Sequence, residues 1–124
     1  MTINAGYDTV VEFELYTEDQ LPVSATFEAD VKQYPLINGD DTVLATLTTA
    51  GGQITVVSSE ANTNLEFSEP FVAVVSLTFE GDVTGNWSQD EVATDLVRTD
   101  VSPIDYMGFI AIIPVNHTIT RVTP

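Results

Sequence analysis

Apolar and polar residues alternate along most of this chain. In Thr26-Phe27-Glu28-Ala29-Asp30-Val31-Lys32 the odd positions Phe27, Ala29 and Val31 are apolar and the even ones between them are charged. Only an extended backbone sorts side chains by parity, so such a stretch is a strand with one face buried. The same period predicts strands over 9–16, 25–33, 43–48, 53–58, 71–80, 92–99, 107–115 and 118–122. In 71–80, Phe71, Ala73, Val75, Leu77 and Phe79 share a face, while Val72 and Val74 make its start apolar on both sides.

Turn chemistry separates these segments. Pro22 fixes φ and removes a ladder donor after the first strand. Pro35 and the pair Asn38-Gly39 mark a polar loop, and Ala50-Gly51-Gly52 predicts a hairpin joining the third and fourth strands. The polar stretch 59–70 reads as a loop in which Leu65 and Phe67 form a short edge segment. Ser88, with Glu91 three positions on, has the spacing of a capping box and predicts a helical turn there. Short strands with turns between them and no sustained 3.6-residue period predict an all-β fold. Its expected form is a single antiparallel β-sandwich, Ig-like or jelly-roll-like, of about seven to nine short strands. The 124 residues make one domain, 1–124, with assembly arms at 1–7 and 115–124.

Composition narrows the function. Nineteen acidic residues face three basic ones, Lys32, Arg98 and Arg121, for a formal net charge of −16. Three scattered cations cannot displace the counterions of a nucleic-acid backbone, and an anionic membrane would repel the chain. Neither nucleic acid nor membrane is therefore an expected partner. The acidity serves solubility, or docking onto a basic partner. With no cysteine there is no disulfide framework or thiolate nucleophile. The N-terminus lacks the charged start and apolar run of a signal peptide, so the product is expected to be made in a cytoplasm; Asn86-Trp87-Ser88 and Asn116-His117-Thr118 then read as chance sequons.

Candidate chemistry is sparse, and no catalytic residue and no bound cofactor are expected. His117 is the single histidine, no Gly-x-Ser-x-Gly elbow occurs, and one histidine cannot build a His-rich metal site. Asn38-Gly39-Asp40-Asp41 resembles a calcium loop in composition but lacks the ligand spacing and terminal glutamate, which leaves at most a surface divalent cation. Trp87 has two readings: exposed, it stacks on a sugar ring; buried, it plugs one end of the core. Asp95 and Arg98, three apart on one strand, point to opposite faces, so Asp95 needs a rim hydrogen bond or an assembly contact.

The order of pieces is recognisable. The chain has a Gly-then-alternating opening strand, Gly51-Gly52-Gln53-Ile54-Thr55, and Val75-Ser76-Leu77-Thr78-Phe79-Glu80 leading to Trp87. Asp95-Leu96 follows, and Ile113-Pro114-Val115 leads to the closing Ile119-Thr120-Arg121. This resembles the small β-sandwich structural proteins of tailed bacteriophages, including the N-terminal module of some baseplate upper proteins. The first loop departs from that pattern, with Pro22-Val23-Ser24 in place of the usual Asp-Leu-Thr-Gly.

The resemblance implies a non-enzymatic virion component: a capsid decoration or cement protein, or a neck, tail or baseplate adaptor. It would be made in the host cytoplasm and present in many copies, touching major capsid or tail and neck proteins. The expected interface residues are Thr2, Ile3 and Tyr7 in the first arm, Asp95 and Arg98 in the strand, and His117 and Arg121 in the last arm. A carbohydrate-binding or host-recognition module is the alternative, predicting exposed aromatics near Trp87. A small enzyme would instead need a cleft holding a carboxyl of raised pKa.

Overall fold

The computed structural model describes residues 1–35, 39 and 42–117, with 108–110 described by backbone alone. The chain is nearly all β. In chain order it forms β1 (Ile3–Asn4), β2 (Thr9–Thr17), β3 (Phe27–Gln33), β4 (Ala45–Thr48), β5 (Ile54–Ala61) and β6 (Phe71–Phe79). A single-turn helix α1 (Gly81–Thr84) precedes β7 (Glu91–Arg98) and β8 (Asp105–Asn116). One sheet has the order β1-β8-β7-β3-β4 and the other β2-β6-β5. The segment 118–122, the loop residues 36–38, 40 and 41, and Arg121 lie outside the described residues.

The parity pattern becomes packing directly. β2 and β6 pair without a slip from Thr9↔Phe79 to Thr17↔Phe71, which aligns Val11 with Leu77 and Leu15 with Ala73. A one-residue shift would turn the whole apolar set outward, so burial itself fixes this register. Phe27, Ala29 and Val31 of β3, Val92 and Leu96 of β7 and Ile113 of β8 join them in one core. Phe27, Leu77 and Phe79 are at most 2% exposed, and burial of each such side chain contributes roughly 1.5–3 kcal/mol.

Four expectations are corrected. The glycine turn is present, with Gly52 at φ 82°, a conformation that side-chain-bearing residues rarely adopt. It makes no hairpin, however: β4 pairs with β3 and β5 pairs with β6, so the turn carries the chain from one sheet to the other. The helical turn lies at Gly81–Thr84 and not at 88–91. The Ser88 N–H is taken by its neighbour's Gln89 Oε1 at 3.1 Å, and Glu91 enters β7 opposite Pro114. Side-chain competition of this kind draws the backbone away from helix.

The third correction concerns strand direction. The sheets are antiparallel except at the chain ends, where β1 runs parallel to β8 with Ile3↔Val115 and Asn4↔Asn116. The Ala5 N–H extends this pairing to the Asn116 carbonyl at 3.0 Å. Leu65 and Phe67 form no strand; they lie in the loop between β5 and β6.

Candidate functional site

The loop at 62–70 is organised by one side chain. Asn62 Nδ2 donates to the carbonyls of Asn64 (3.2 Å), Phe67 (3.1 Å) and Glu69 (2.8 Å). Its Oδ1 accepts the Asn64 N–H at 2.8 Å, and its own N–H closes the loop onto the Pro70 carbonyl at 2.8 Å. Asn64 repeats the motif one step on: its Oδ1 accepts the Glu66 N–H at 3.0 Å. Asparagine suits this work because its short amide satisfies local backbone groups that have no ladder partner.

This scaffold decides where the apolar residues go. Leu65 is 100% exposed, and Phe67 lies flat against Tyr16 of β2, with ring centroids 3.8 Å apart and planes at 8°. The Tyr16 hydroxyl donates to Glu14 Oε2 at 2.6 Å; that bond, followed by burial, raises the phenol's pKa above its ordinary value. Register places Tyr16, Val72 and Glu60 in one row across the outer face of this sheet. The outcome is an apolar knob, an exposed Leu65 beside the Tyr16–Phe67 stack, on a hydrogen-bonded base with the Glu14 and Glu66 carboxylates near the Tyr16 hydroxyl. Leaving a leucine wholly in water forgoes roughly 1.5–3 kcal/mol of burial. The stacked Tyr16 and Phe67 rings on an ordered loop add the aromatic surface that interface anchors draw on.

The residues expected from sequence do not meet at one place. Thr2 is exposed, whereas Ile3 is fully buried against β8, which makes it a core residue and not a contact. Tyr7 is 51% exposed and its N–H donates to the Asn4 carbonyl at 3.0 Å. Asp95 has a structural partner: where the β3–β7 ladder breaks, its Oδ1 accepts the Asp30 N–H at 3.0 Å. A backbone donor that would otherwise lack a partner is thereby satisfied.

Arg98 grips Asp100 with two bonds, Nε to Oδ1 at 2.8 Å and Nη2 to Oδ2 at 3.0 Å. The Arg98 hydrogen bonds, helped by the Thr26 N–H, pull the Asp100 carboxyl down to about 2. His117 Nε2 lies 2.6 Å from the Gln89 carbonyl, to which it donates, and 3.9 Å from Asp90 Oδ1. It thus fastens the end of β8 to the segment before β7. The Asp90 carboxylate is 94% exposed, so its contact with the ring is screened by water and weak. Arg121 lies outside the described residues.

Trp87 is 8% exposed and meets Phe79 edge to face, with centroids 6.3 Å apart and planes at 78°. This is the plugging role of its two readings. The turn that carries it is tightly made. Gly81 donates to Asp8 Oδ1 at 2.8 Å, and the Thr84 hydroxyl accepts the Gly6 N–H at 3.1 Å. A Cβ at Gly81 would stand 2.7 Å from the Gly6 carbonyl oxygen, so only glycine allows this approach.

Beside Trp87 opens a cleft of about 280 Å³ whose lining includes Leu44, Thr46, Leu47, Phe79 and Glu80. A second, shallower depression of about 510 Å³ lies between Gln33-Tyr34-Pro35 and residues 88–91. Among the described residues, no group of three or more His, Asp or Glu side chains is placed to hold a metal ion, and no helix is long and apolar enough to cross a membrane. Comparisons with protein-family models, curated proteins and solved structures give no match to this chain.

Sequence reasoning missed Asn62 and the exposed role of Leu65. The available signal was Asn62-Thr63-Asn64, two turn-forming asparagines directly before an isolated leucine in a polar stretch.

Proposed function

We propose that the two sheets close as a β-sandwich and that this protein is a non-enzymatic structural subunit of a tailed-phage virion. It works as a capsid decoration protein or as a neck, tail or baseplate adaptor, through protein–protein contacts. The carrying observation is Leu65, fully exposed on a loop that Asn62 holds in shape. Preorganisation matters because a loop already ordered in the free protein loses little conformational entropy on binding. The Glu14 and Glu66 carboxylates beside the knob favour partners with a cationic rim, and a net charge of −16 on each copy discourages copies of this chain from docking on one another there.

The virion assignment itself rests on the sequence resemblance, and many copies on one particle fit a small, highly charged subunit. The carbohydrate-binding alternative drew its main support from an exposed Trp87, and burial of that ring removes it.

The test is co-sedimentation of the purified protein with empty phage heads and, separately, with tails. The expected result is saturable binding to one of the two, reduced at least tenfold by Leu65→Ala, a change of about 1.4 kcal/mol or more. A folded protein that binds neither particle, or that binds equally well without the Leu65 side chain, contradicts the proposal.

A further inference from the structure

We infer that the cleft beside Trp87 is a second protein-binding site, which takes an extended, lysine- or arginine-bearing segment of a partner as an added strand along β4. The site stands apart from the 62–70 knob, so either can fail without the other. Among the described residues, β4 is the last strand of its sheet and pairs with β3 alone. The Thr49 N–H bonds to the Phe27 carbonyl at 3.1 Å, which sets the antiparallel alternation: the backbone groups of 45 and 47 face β3, and those of 46 and 48 face away.

Thr48 is already satisfied. Its N–H donates to Gln53 Oε1 at 3.1 Å, and its carbonyl accepts the Gln53 N–H at 3.1 Å. Among the described residues, that leaves the amide and carbonyl of Thr46 as the open pair of this edge, and Thr46 borders the cleft. Its hydroxyl is engaged elsewhere, donating to Asp30 Oδ1 at 3.0 Å on the sheet's outer face. Open backbone groups next to an apolar recess are the two parts of strand addition: main-chain bonds give affinity, and a side-chain pocket gives specificity.

The size and charge of the cleft choose the occupant. Its volume of about 280 Å³ falls below the roughly 300–1,000 Å³ of sites that bury drug-sized ligands, and suits a single large side chain. Leu44, Leu47, Phe79 and Trp87 make its apolar wall and floor. Glu80 is the charged residue among those lining it, with Oε1 accepting from Gln53 Nε2 at 3.3 Å, and Glu28 stands exposed opposite Thr48. An entering segment therefore meets the negative charge of Glu80 beside its apolar anchor, and a basic residue next to that anchor complements it.

Two capped pentapeptides, Lys-Val-Phe-Val-Lys and Glu-Val-Phe-Val-Glu, test this on the intact chain. The emission of Trp87, the single tryptophan, and the amide resonance of Thr46 serve as readouts. The basic peptide is expected to saturate and to move both signals, with the acidic peptide at least tenfold weaker. Thr46→Pro removes an N–H that the β3 ladder does not use and is expected to weaken the basic peptide about tenfold, the scale of one lost hydrogen bond. Glu80→Lys, on an exposed side chain whose one bond among the described residues is the long contact to Gln53, is expected to abolish the charge preference even if the proline variant fails to fold. Equal binding of both peptides, or no binding of either, overturns the inference. So does a Trp87 response to 1-anilinonaphthalene-8-sulfonate without any response to peptide, which would mark the cleft as a small-molecule cavity.

Discussion

Two connections of similar length, 62–70 and 81–87, each carry bulky apolar residues and treat them in opposite ways. In 81–87 the helical turn, the Gly81–Gly6 approach and the Thr84 hydroxyl draw the backbone onto the N-terminal segment, and Trp87 ends against Phe79 in the core. In 62–70 the backbone bonds converge on Asn62 within the loop itself, and Leu65 is left in water. Hydropathy does not separate the two cases, since leucine is as apolar as tryptophan is large. What separates them is anchoring: beside its own turn bonds, 81–87 is tied to the N-terminal segment through the Gly81 N–H to Asp8 and the Gly6 N–H to Thr84, whereas the backbone bonds of 62–70 are made within the loop. The ties to the N-terminal segment bring Trp87 into the core, whereas 62–70 rests only its Phe67 ring on the sheet and leaves Leu65 displayed.

The contrast can be broken from the buried side first. Trp87→Ala should cost about 3–5 kcal/mol, since it leaves a cavity against Phe79. Urea unfolding measures this, and a loss below about 1 kcal/mol would mean that Trp87 is not a core residue. Asn62→Ala should cost less, roughly 1–3 kcal/mol, because its carbonyl partners regain water. Its sharper signature is local: the Phe67 ring should leave Tyr16, which ring-current shifts of the Tyr16 protons would register. Leu65→Ala should leave stability unchanged within about 0.5 kcal/mol while weakening particle binding. Equal stability losses at Leu65 and Trp87 would erase the distinction between display and burial.

A smaller effect belongs to the pair Arg98–Asp100, which a turn beyond β7 shares with the Thr26 N–H. The Asp100 carboxyl is held at about 2, below its unfolded value, so its contribution to stability is complete above the unfolded pKa and is lost as pH falls from about 4 toward 2. Arg98→Gln should return the Asp100 titration, followed by carboxyl NMR, toward the ordinary range and flatten stability across that window. Raised salt should shrink the difference, because the pair is partly exposed.

What the sequence made legible follows from which forces are local. Parity in β2, β3 and β6 exposes the strands and their buried faces, because side-chain alternation is a property of the backbone alone. The route from β4 to β5 was not legible: a Gly-Gly turn looks the same whether its flanking strands pair with each other or with β3 and β6. Asp95 read as an interface candidate because its partner, the Asp30 N–H, is a gap in a ladder 65 residues away. Ile3 read as an arm residue because nothing in 1–7 announces a parallel partner at Val115. The knob was hidden for the opposite reason. Its backbone bonds are local, but they are organised by two asparagine amides whose geometry no hydrophobic pattern encodes, and the Tyr16 ring under Phe67 lies on a distant strand.

Amide hydrogen exchange of the free protein at Asn64, Glu66 and Phe67 tests most directly whether Leu65 is presented by a loop already formed. Their N–H groups bond to Asn62 Oδ1, Asn64 Oδ1 and the Asn64 carbonyl, so exchange should be slowed well beyond the rates of an unstructured loop, and Asn62→Ala should remove that protection. Unprotected exchange at all three positions in the unaltered protein would show that no preformed knob exists, and would contradict the account.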